Sequence, residues 1–385
     1  MNNEIIYLDN NATTRTAPEV IEAMAPFFGD NYGNPSSVYR FGGAIRRRVE
    51  RAREQVAALI GAEPDEIYFT SCGTESDNMA LKGFFLEHGA GARLITSAVE
   101  HPAVRNTARF IKERGASLTE LPVDGSGMIF EDAVDAHEIN RNTLVSLMWA
   151  NNETGVIFPI DKLAQAVKVR GGVFHTDAVQ AAGKVVIDVK KTPVDMLALS
   201  GHKIHAPKGI GAAYFRAGTP VASLIHGGHQ ENGARAGTEN VPYIIGLGCA
   251  CELAAERLET ENTRVRALRD RLENALLERC GGAKLNGCPE NRLPNTVNIS
   301  FENIEGESIL LHLDESGIAA ASGSACTTGS LEPSHVMMAM GIPYKYAHSS
   351  IRFSLSVYNT DSDIDRVIAV MPGIVDKLRE LSPFI

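Results

Sequence analysis

The sequence predicts an α/β protein in which a large domain, with a mainly parallel sheet covered by helices, is followed by a smaller C-terminal α+β domain. Two observations support this fold class. Apolar runs typical of strands alternate with helix-like segments through the first two-thirds of the chain, and the early runs are apolar on both faces, as in a buried parallel sheet. Near residue 260 the pattern changes to a polar helix and shorter strands, which indicates a second domain.

The predicted elements follow in a regular order. Strands are predicted over 66–70, 93–97, 118–121 and 143–150, around Val173 and Met196, and over 211–215, with helices over 44–60, 75–88, 103–114 and 160–170. A polar helix over 252–279 then leads to strands over 296–301, 318–320 and 350–355 and to helices over 306–315 and 361–381. We therefore predict a large domain over 16–259 and a small domain made of 1–15 and 260–385, with a cysteine-bearing loop at about 320–332.

Composition excludes several classes of protein. The 385 residues carry a formal net charge of −10, which argues against a general nucleic-acid or anionic-membrane binder. The sequence has no run of 18 apolar residues and no signal-peptide pattern at its first residues. The six cysteines match neither a zinc ribbon nor a disulfide framework, so we expect free thiols and a cytoplasmic location.

Two predicted strands end in residues that suit a pyridoxal phosphate site. The apolar run Val194–Leu199 is followed shortly by Lys203, and the run that starts at Gly172 ends in Asp177. A lysine amine forms a Schiff base with the cofactor aldehyde, and an aspartate keeps the pyridine nitrogen protonated so that the ring accepts electrons. Each residue also has an ordinary alternative, because lysines after strands are commonly solvated and aspartates there commonly cap turns or helices.

Polar residues follow other strands as well. Thr70–Ser76 opens a helix, so its N–H groups favour an anion, although Thr-Glu at such a position is also a common cap. His101 suits either stacking on an aromatic cofactor or capping of the next helix. Asn151 and Asn152 suit either hydrogen bonds to a ligand or an Asx turn. Because open α/β sheets place their sites at the carboxyl ends of strands, we expect these residues to lie together.

The predicted small domain contributes a thiol and a guanidinium. Cys326 lies in a run of Gly, Ser and Thr, which predicts an exposed, mobile loop suited to a nucleophile, although an exposed cysteine can be incidental. Arg352 lies inside an otherwise apolar strand, and a buried arginine needs an anionic partner. A substrate carboxylate and an internal salt bridge are the two alternatives.

Together these segments resemble the cysteine desulfurases of the class-V aminotransferase family, pyridoxal phosphate enzymes of fold type I. The resemblance is nearly end to end and runs from Tyr7–Thr14 and Gly33–Ser37, through the segments above, to Gly227–Glu231, Arg235–Asn240 and Ile351–Ser356. Thr70–Ser76, Met148–Gly155 and Ser322–His335 are most similar to the nitrogen-fixation (NifS) branch. Each motif alone is unspecific, but the combination is specific.

The resemblance implies a role for each matching residue. Lys203 carries the cofactor, and the ring is held by Asp177 at its nitrogen, by Gln180 at its hydroxyl and by His101, which stacks on it and assists proton transfer. The implied phosphate ligands are Gly73, Thr74, Ser200, His202 and, from the partner subunit of a homodimer, Thr238. The substrate carboxylate is bound by Asn152, which also contacts the cofactor, and by Arg352. Cys326 accepts the sulfur, whereas Lys208, in a predicted turn, is not expected to carry the cofactor.

The implied activity is conversion of L-cysteine to L-alanine with transfer of sulfur to a persulfide on Cys326, the reaction of a cysteine desulfurase (EC 2.8.1.7). The implied acceptor is an iron–sulfur scaffold protein. The choice between nitrogen fixation and general iron–sulfur assembly depends on that acceptor rather than on the active-site residues.

Three alternatives compete with this interpretation. Another class-V enzyme, such as an aminotransferase or a selenocysteine lyase, would share Lys203 and Asp177 without depending on Cys326. A homologue that has lost catalysis and serves as a scaffold would not need these residues. A metal protein built on His202-x-x-His205 or His226-x-x-His229 lacks an obvious acidic third ligand, so no metal site is predicted.

Overall fold

A computed structural model describes residues 5–322 and 333–382 of the chain. Its strands, numbered in chain order, are β1 (Ile6–Tyr7), β2 (Ile67–Thr70), β3 (Arg93–Ser97), β4 (Ser117–Leu121), β5 (Thr143–Ser146), β6 (Val173–Asp177), β7 (Met196–Ser200), β8 (Gly211–Phe215), β9 (Ala283–Asn286), β10 (Thr296–Phe301), β11 (Ile318–Ala319), β12 (Ala321–Ser322) and β13 (Ser350–Ser354). Its α-helices are α1 (Pro18–Met24), α2 (Arg40–Ile60), α3 (Gly73–His88), α4 (Pro102–Lys112), α5 (Ile160–Val169), α6 (Val241–Thr260), α7 (Arg266–Arg279), α8 (Gly306–Glu315), α9 (His335–Ala339), α10 (Tyr344–Ala347) and α11 (Asp361–Leu381).

The large sheet has seven strands in the order β2-β8-β7-β6-β5-β3-β4. The pairs from β7 across to β4 are parallel, whereas β8 is antiparallel to both β7 and β2. Six strands of this sheet therefore point the same way. Their carboxyl ends, including Thr70, Asp177 and Ser200, lie along one edge, which confirms the predicted α/β class with a mainly parallel sheet.

Helices cover both faces of the large sheet because its strands bury side chains on both sides. One face packs Leu94, Leu144 and Met196 against apolar residues of α3 and α4. The other packs the alternate strand residues, such as Val145 and Leu197, against α2, α5 and α6. Burial on both faces is what the continuous apolar runs predicted.

A second, antiparallel sheet has the order β12-β13-β10-β9. Its core packs β10 and β13 against α7, α8 and α11, and it includes Leu8 from the start of the chain. The N-terminal segment joins this region because β1 pairs in parallel with β11 and because the backbones of Asp9 and Ser354 form a parallel β-bridge. Residues close to the N-terminus therefore lie against the last strand.

The structure differs from the predicted elements most clearly at the helix predicted over 252–279, and the strand predicted over 143–150 ends at Ser146. The helix predicted over 252–279 begins at Val241 and passes through a π-helical turn, Glu261–Val265, before continuing to Arg279. The apolar residues of α6, including Leu247 and Cys251, are buried in the core of the large sheet, so this half of the helix lacks the polar pattern that marked its second half. The predicted boundary at 259/260 falls inside this continuous helical stretch and stays a prediction.

Within the described residues, we find no helix with the length and apolar character needed to cross a membrane.

Candidate active site

A cavity of about 340 Å³ lies at the carboxyl ends of the parallel strands, where β12 and β13 approach the large sheet. Ten of the residues predicted from the sequence line this one cavity: Gly73, Thr74, His101, Asn152, Asp177, Gln180, Ser200, His202, Lys203 and Arg352. Cavities of this size suit small-molecule ligands.

Lys203 reaches the cavity from the 3₁₀ turn Gly201–Lys203 that follows β7. Its amine donates hydrogen bonds to the backbone carbonyls of Asn11 and Ala12, the latter at 2.7 Å. Burial, helped by the charges of Arg352 and Lys184, lowers the pKa of Lys203 to about 7. A large fraction of the amine is therefore unprotonated at neutral pH and available as a nucleophile or proton acceptor.

Lys208, by contrast, is exposed and does not line this cavity. It precedes Gly209, whose φ of +91° forms a turn. The two lysines are five positions apart in sequence but face different environments.

Asp177 is the last residue of β6 and only 7% exposed. Its Oδ1 accepts a hydrogen bond from the Val179 N–H at 2.9 Å. Burial raises the pKa of Asp177, while His101, the Val179 N–H and Lys203 oppose that rise. A buried carboxylate of this kind is stabilised by a cationic partner in the cavity.

His101 caps α4, the second of the two roles considered for it from sequence, and it also lines the cavity, while its stacking on a cofactor stays a prediction. Its Nδ1 accepts a hydrogen bond from the Ala103 N–H at 3.1 Å, which leaves the proton of the neutral ring on Nε2. Burial lowers the pKa of His101 and favours this neutral form.

The first turn of α3 forms an anion-binding edge of the cavity. No side chain caps this helix, which begins at Gly73, so its first N–H groups are available to a ligand. A Cβ on Gly73 would lie 2.6 Å from Val179 Cγ2, so a larger residue would disturb this wall. Ser200 Oγ is buried and has no hydrogen-bond partner among the described residues. His202 also lines the cavity, and its Nδ1 lies 3.2 Å from Thr13 Oγ1.

The two asparagines after β5 have different roles. Asn151 Oδ1 accepts from the N–H groups of Glu153 and Thr154, each at 2.9 Å, and so makes the Asx turn. That turn places Asn152 on the cavity wall. Gln180 lies nearby and donates from Nε2 to the Asn11 carbonyl at 3.0 Å, while its Oε1 has no partner in the described part of the chain.

Arg352 extends from β13 into the cavity and is held by two contacts. Its Nη2 pairs with Asp9 Oδ1 at 2.6 Å, and its Nη1 donates to the Asn152 carbonyl at 2.9 Å. Its Nε is buried and has no partner among the residues described. The internal salt bridge considered as the alternative is therefore present, and it helps to hold the Arg352 guanidinium group at the cavity.

Sequence reasoning missed three buried carboxyl groups around the cavity. Glu100 accepts hydrogen bonds from Ser97 Oγ at 2.6 Å and from the Met148 N–H at 3.0 Å, and burial raises its pKa to about 8. Burial raises the pKa of Glu153 to about 7 and that of Asp77 well above its ordinary value. Glu100 and Glu153 adjoin His101 and Asn152 in sequence, but nothing in the sequence shows that these two carboxyl groups are buried as well.

Two predicted residues are not placed at this cavity. Thr238 is exposed and does not line it, and its predicted role belongs to a partner subunit. Cys326 and most of the predicted cysteine loop lie outside the described residues.

The cavity fits pyridoxal phosphate by the chemistry of its groups. A lysine with an amine available at neutral pH suits the aldehyde, and an uncapped helix start suits the phosphate. The buried Asp177 carboxylate suits the protonated ring nitrogen, and the unpartnered Gln180 Oε1 suits the ring hydroxyl. The group thus has a complementary partner at each of its polar ends.

Comparison with known proteins agrees with this chemistry. The family model described as aminotransferase class-V matches residues 6–367. A cysteine desulfurase of Gluconacetobacter diazotrophicus is 56% identical over 381 residues, which cover 98% of this chain and 95% of that protein. Cysteine desulfurase NifS of Azotobacter vinelandii is 53% identical over 380 residues, with 98% and 94% covered. A solved NifS-like protein superposes with a TM-score of 0.91 at 38% identity and covers 97% of this chain and 100% of its own. The chain therefore belongs to the class-V aminotransferase family and, within it, to the cysteine desulfurases.

Proposed function

We propose that this chain converts L-cysteine to L-alanine with pyridoxal phosphate on Lys203 and leaves the sulfur as a persulfide on Cys326, for use in iron–sulfur cluster assembly. The observation that carries the proposal is the meeting of Lys203, Asp177 and Arg352 in one cavity. These residues supply a nucleophilic amine, a buried anion and a cationic fork, which are the groups that an amino acid and this cofactor require.

Pyridoxal phosphate, when bound, supplies an aldehyde that links to amines and a ring that accepts the electron pair released at the substrate α-carbon. Lys203 takes the α-proton, because burial keeps a large share of its amine unprotonated near pH 7. Asp177 would hold a proton on the nitrogen of the bound ring. His101 would orient that ring and would donate the proton that it carries on Nε2.

Arg352 and Asn152 orient the substrate by its carboxylate. Asp9 and the Asn152 carbonyl fix the guanidinium, so little side-chain entropy is lost when a carboxylate is added. The Cys326 thiolate then attacks the substrate sulfur. An S–S bond forms as the substrate C–S bond breaks, and the electron pair of the broken bond stays with the carbon fragment that becomes alanine.

Family membership supports a proposal for the wider arrangement. We propose a homodimer in which Thr238 of one subunit contacts the phosphate held by the other, and a cytoplasmic location. The domains are a large one over 16–259 and a small one of 1–15 and 260–385. We propose an iron–sulfur scaffold protein as the sulfur acceptor, because a persulfide is delivered by contact.

The activity is tested by giving the purified protein L-cysteine and a thiol reductant and measuring alanine and sulfide together. Equal amounts of both products are expected. Neither product, with the cofactor bound, would favour an aminotransferase-type reaction. A protein that stays colourless after addition of pyridoxal phosphate would favour the non-catalytic scaffold.

Replacement of Cys326 by alanine is expected to leave the cofactor's visible absorption unchanged and to remove sulfide release, because the sulfur has no acceptor. Cys249→Ala is the matched control, since that half-buried thiol on α6 does not line the cavity. Substantial sulfide from Cys326→Ala would contradict the role of Cys326.

Cys72 provides a test of where the cofactor binds. This half-buried thiol lines the cavity beside the first turn of α3, so we expect bound pyridoxal phosphate to shield it from iodoacetamide. When the free pyridoxal phosphate concentration is about 100 times its Kd, only cofactor-free protein reacts, so alkylation of Cys72 slows about 100-fold. Peptide mass spectrometry measures the rate, with Cys249 as the unprotected reference. Equal rates at Cys72 with and without the cofactor would place it elsewhere.

A further inference from the structure

Lys203 also borders a second, much smaller cavity. This cavity has a volume of about 30 Å³, enough for about one water molecule, and lies apart from the walls that hold Asp177 and His101. Lys184 and Glu261 line it together with Lys203, whereas neither lines the larger cavity. Lys184 has been named above only as one of the charges that lower the pKa of Lys203, and Glu261 has been given no role there.

Hydrogen bonds connect Lys184 to Lys203. Lys184 is only 5% exposed, and its Nζ donates to the Gln180 backbone carbonyl at 3.2 Å. The Gln180 side chain donates to the Asn11 carbonyl at 3.0 Å, and the same carbonyl accepts from the Lys203 amine. Lys184 therefore helps to fix the turn that carries Gln180, and Gln180 and Lys203 both donate to the Asn11 carbonyl.

The turn that carries Lys184 is held rigidly. Gly183 has a φ of +72°, and a Cβ there would lie 2.9 Å from the Cβ of Ala254 on α6. On the other side, Asn262 Nδ2 donates to the Lys184 carbonyl at 2.8 Å. These contacts hold the backbone on both sides of Lys184 and so fix where its side chain begins.

Glu261 supplies the opposite charge. It is the first residue of the π-helical turn, is 6% exposed, and its Oε2 has no hydrogen-bond partner within the described residues. Burial lowers the pKa of Lys184 to about 8, and Glu261 opposes that fall. Burial also raises the pKa of Glu261 to about 7, and Lys184 opposes that rise. Lys184 and Glu261 thus each favour the charged form of the other. Glu261 also lies in a π-helical turn, an element that is frequent at functional sites.

We propose that Lys184 is a positioning residue for Lys203: its buried ammonium, balanced by Glu261, disfavours a second positive charge on the Lys203 amine and keeps that amine reactive. The proposal rests on the function proposed above for Lys203 and adds the group that tunes it. Lys184 acts through charge and through the Gln180 turn without touching substrate or cofactor.

Other charged and titratable groups face the two lysines. Lys203 also lies within the influence of Arg352, Asp9, Asp177, His101 and His202. Lys184 also influences His202 and His205, and its partner Glu261 is influenced by Arg264. Arg257 also lines the small cavity. These residues are the same in the variants below, so the measured difference reports the loss of the Lys184 charge together with the response of Glu261 to that loss.

The test measures the charge of the Lys203 amine directly. The full chain, freed of cofactor, is acetylated briefly at a series of pH values, and the rate at Lys203 is read by peptide mass spectrometry with exposed Lys208 as the internal reference. For Lys184→Met the midpoint of the Lys203 profile is expected to rise, so that acetylation at pH 7 slows by about threefold to tenfold and converges with the unmodified protein at high pH. Lys184→Arg keeps the charge and is expected to keep the midpoint.

Several results would overturn the proposal. An unchanged midpoint in Lys184→Met shows that the charge does not act on Lys203. Slowing by the same factor at every pH shows a merely structural role. If Lys184→Met does not fold, Lys184→Gln gives the same comparison. Adding pyridoxal phosphate to the unmodified protein separately tests the proposed function, because its visible absorption reports cofactor binding whatever the acetylation profile shows.

Discussion

Replacement of Lys203 by alanine is expected to lower alanine formation from L-cysteine by about 10³-fold or more, because one amine both holds the cofactor and moves the α-proton. The structure places this amine in the main cavity, where burial lowers its pKa to about 7. Loss of the side chain should also remove the visible absorption of the covalently held cofactor. Product analysis and absorption spectra of the purified variant measure both effects.

Lys208→Ala is the matched control for this variant. Lys208 is exposed, lies five positions later and does not line the cavity, so its removal should leave alanine formation within about twofold of the unmodified protein. Reduction with borohydride followed by peptide mapping should find the cofactor on Lys203. Cofactor fixed to Lys208, or retained activity in Lys203→Ala, would show that the wrong lysine has been assigned.

Replacement of Asp177 by asparagine is expected to lower the rate of alanine formation by about 10²- to 10³-fold. Asparagine has nearly the same size and can still accept the Val179 N–H through its oxygen, so the turn after β6 is preserved. It carries no negative charge, however, and cannot keep a proton on the ring nitrogen. Single-turnover rates with bound cofactor, together with cofactor affinity, measure the loss.

Asp77→Asn is the control for the loss of a buried carboxyl group. Asp77 borders the same cavity, but burial, followed by the charge of Asp177, raises its pKa well above the ordinary value. Burial thus favours its neutral form, which asparagine resembles in both charge and size. Equal losses in the two variants would indicate that general disturbance of the cavity, and not the Asp177 charge, explains the result.

Much of the fold could be predicted because burial leaves a clear pattern. Strands β3, β8 and β10 and helices α8 and α11 have the predicted bounds. The direction of β8 was not predictable, since the apolar run Gly211–Phe215 is buried along its whole length in either direction. The short strand β9 was missed because its alternation of apolar and polar residues extends over only four residues, Ala283–Asn286.

The candidate site could be predicted only in part. Strand ends such as Asp177 and Ser200 share one sheet edge, so local patterns were enough to group them. The salt bridge between Arg352 and Asp9 joins residues 343 positions apart and has no local signal. The same is true of the Asn11 carbonyl, which became relevant only when the fold brought it to Lys203 and Gln180.

The position of Asn11 has a consequence for how the protein is made. Its side chain donates a hydrogen bond of 2.8 Å to Thr296, 285 residues later in the chain. Its backbone N–H donates a hydrogen bond of 2.9 Å to Ser354, 343 residues later. At the usual ribosomal rate of about 5–20 residues per second, the last of these partners is synthesised about 17–69 s after Asn11. All strands of the large sheet, and Lys203, are therefore synthesised before the hydrogen bond between Asn11 and Ser354 can form beside that lysine. Full assembly of the centre therefore waits until Ser354 has been synthesised.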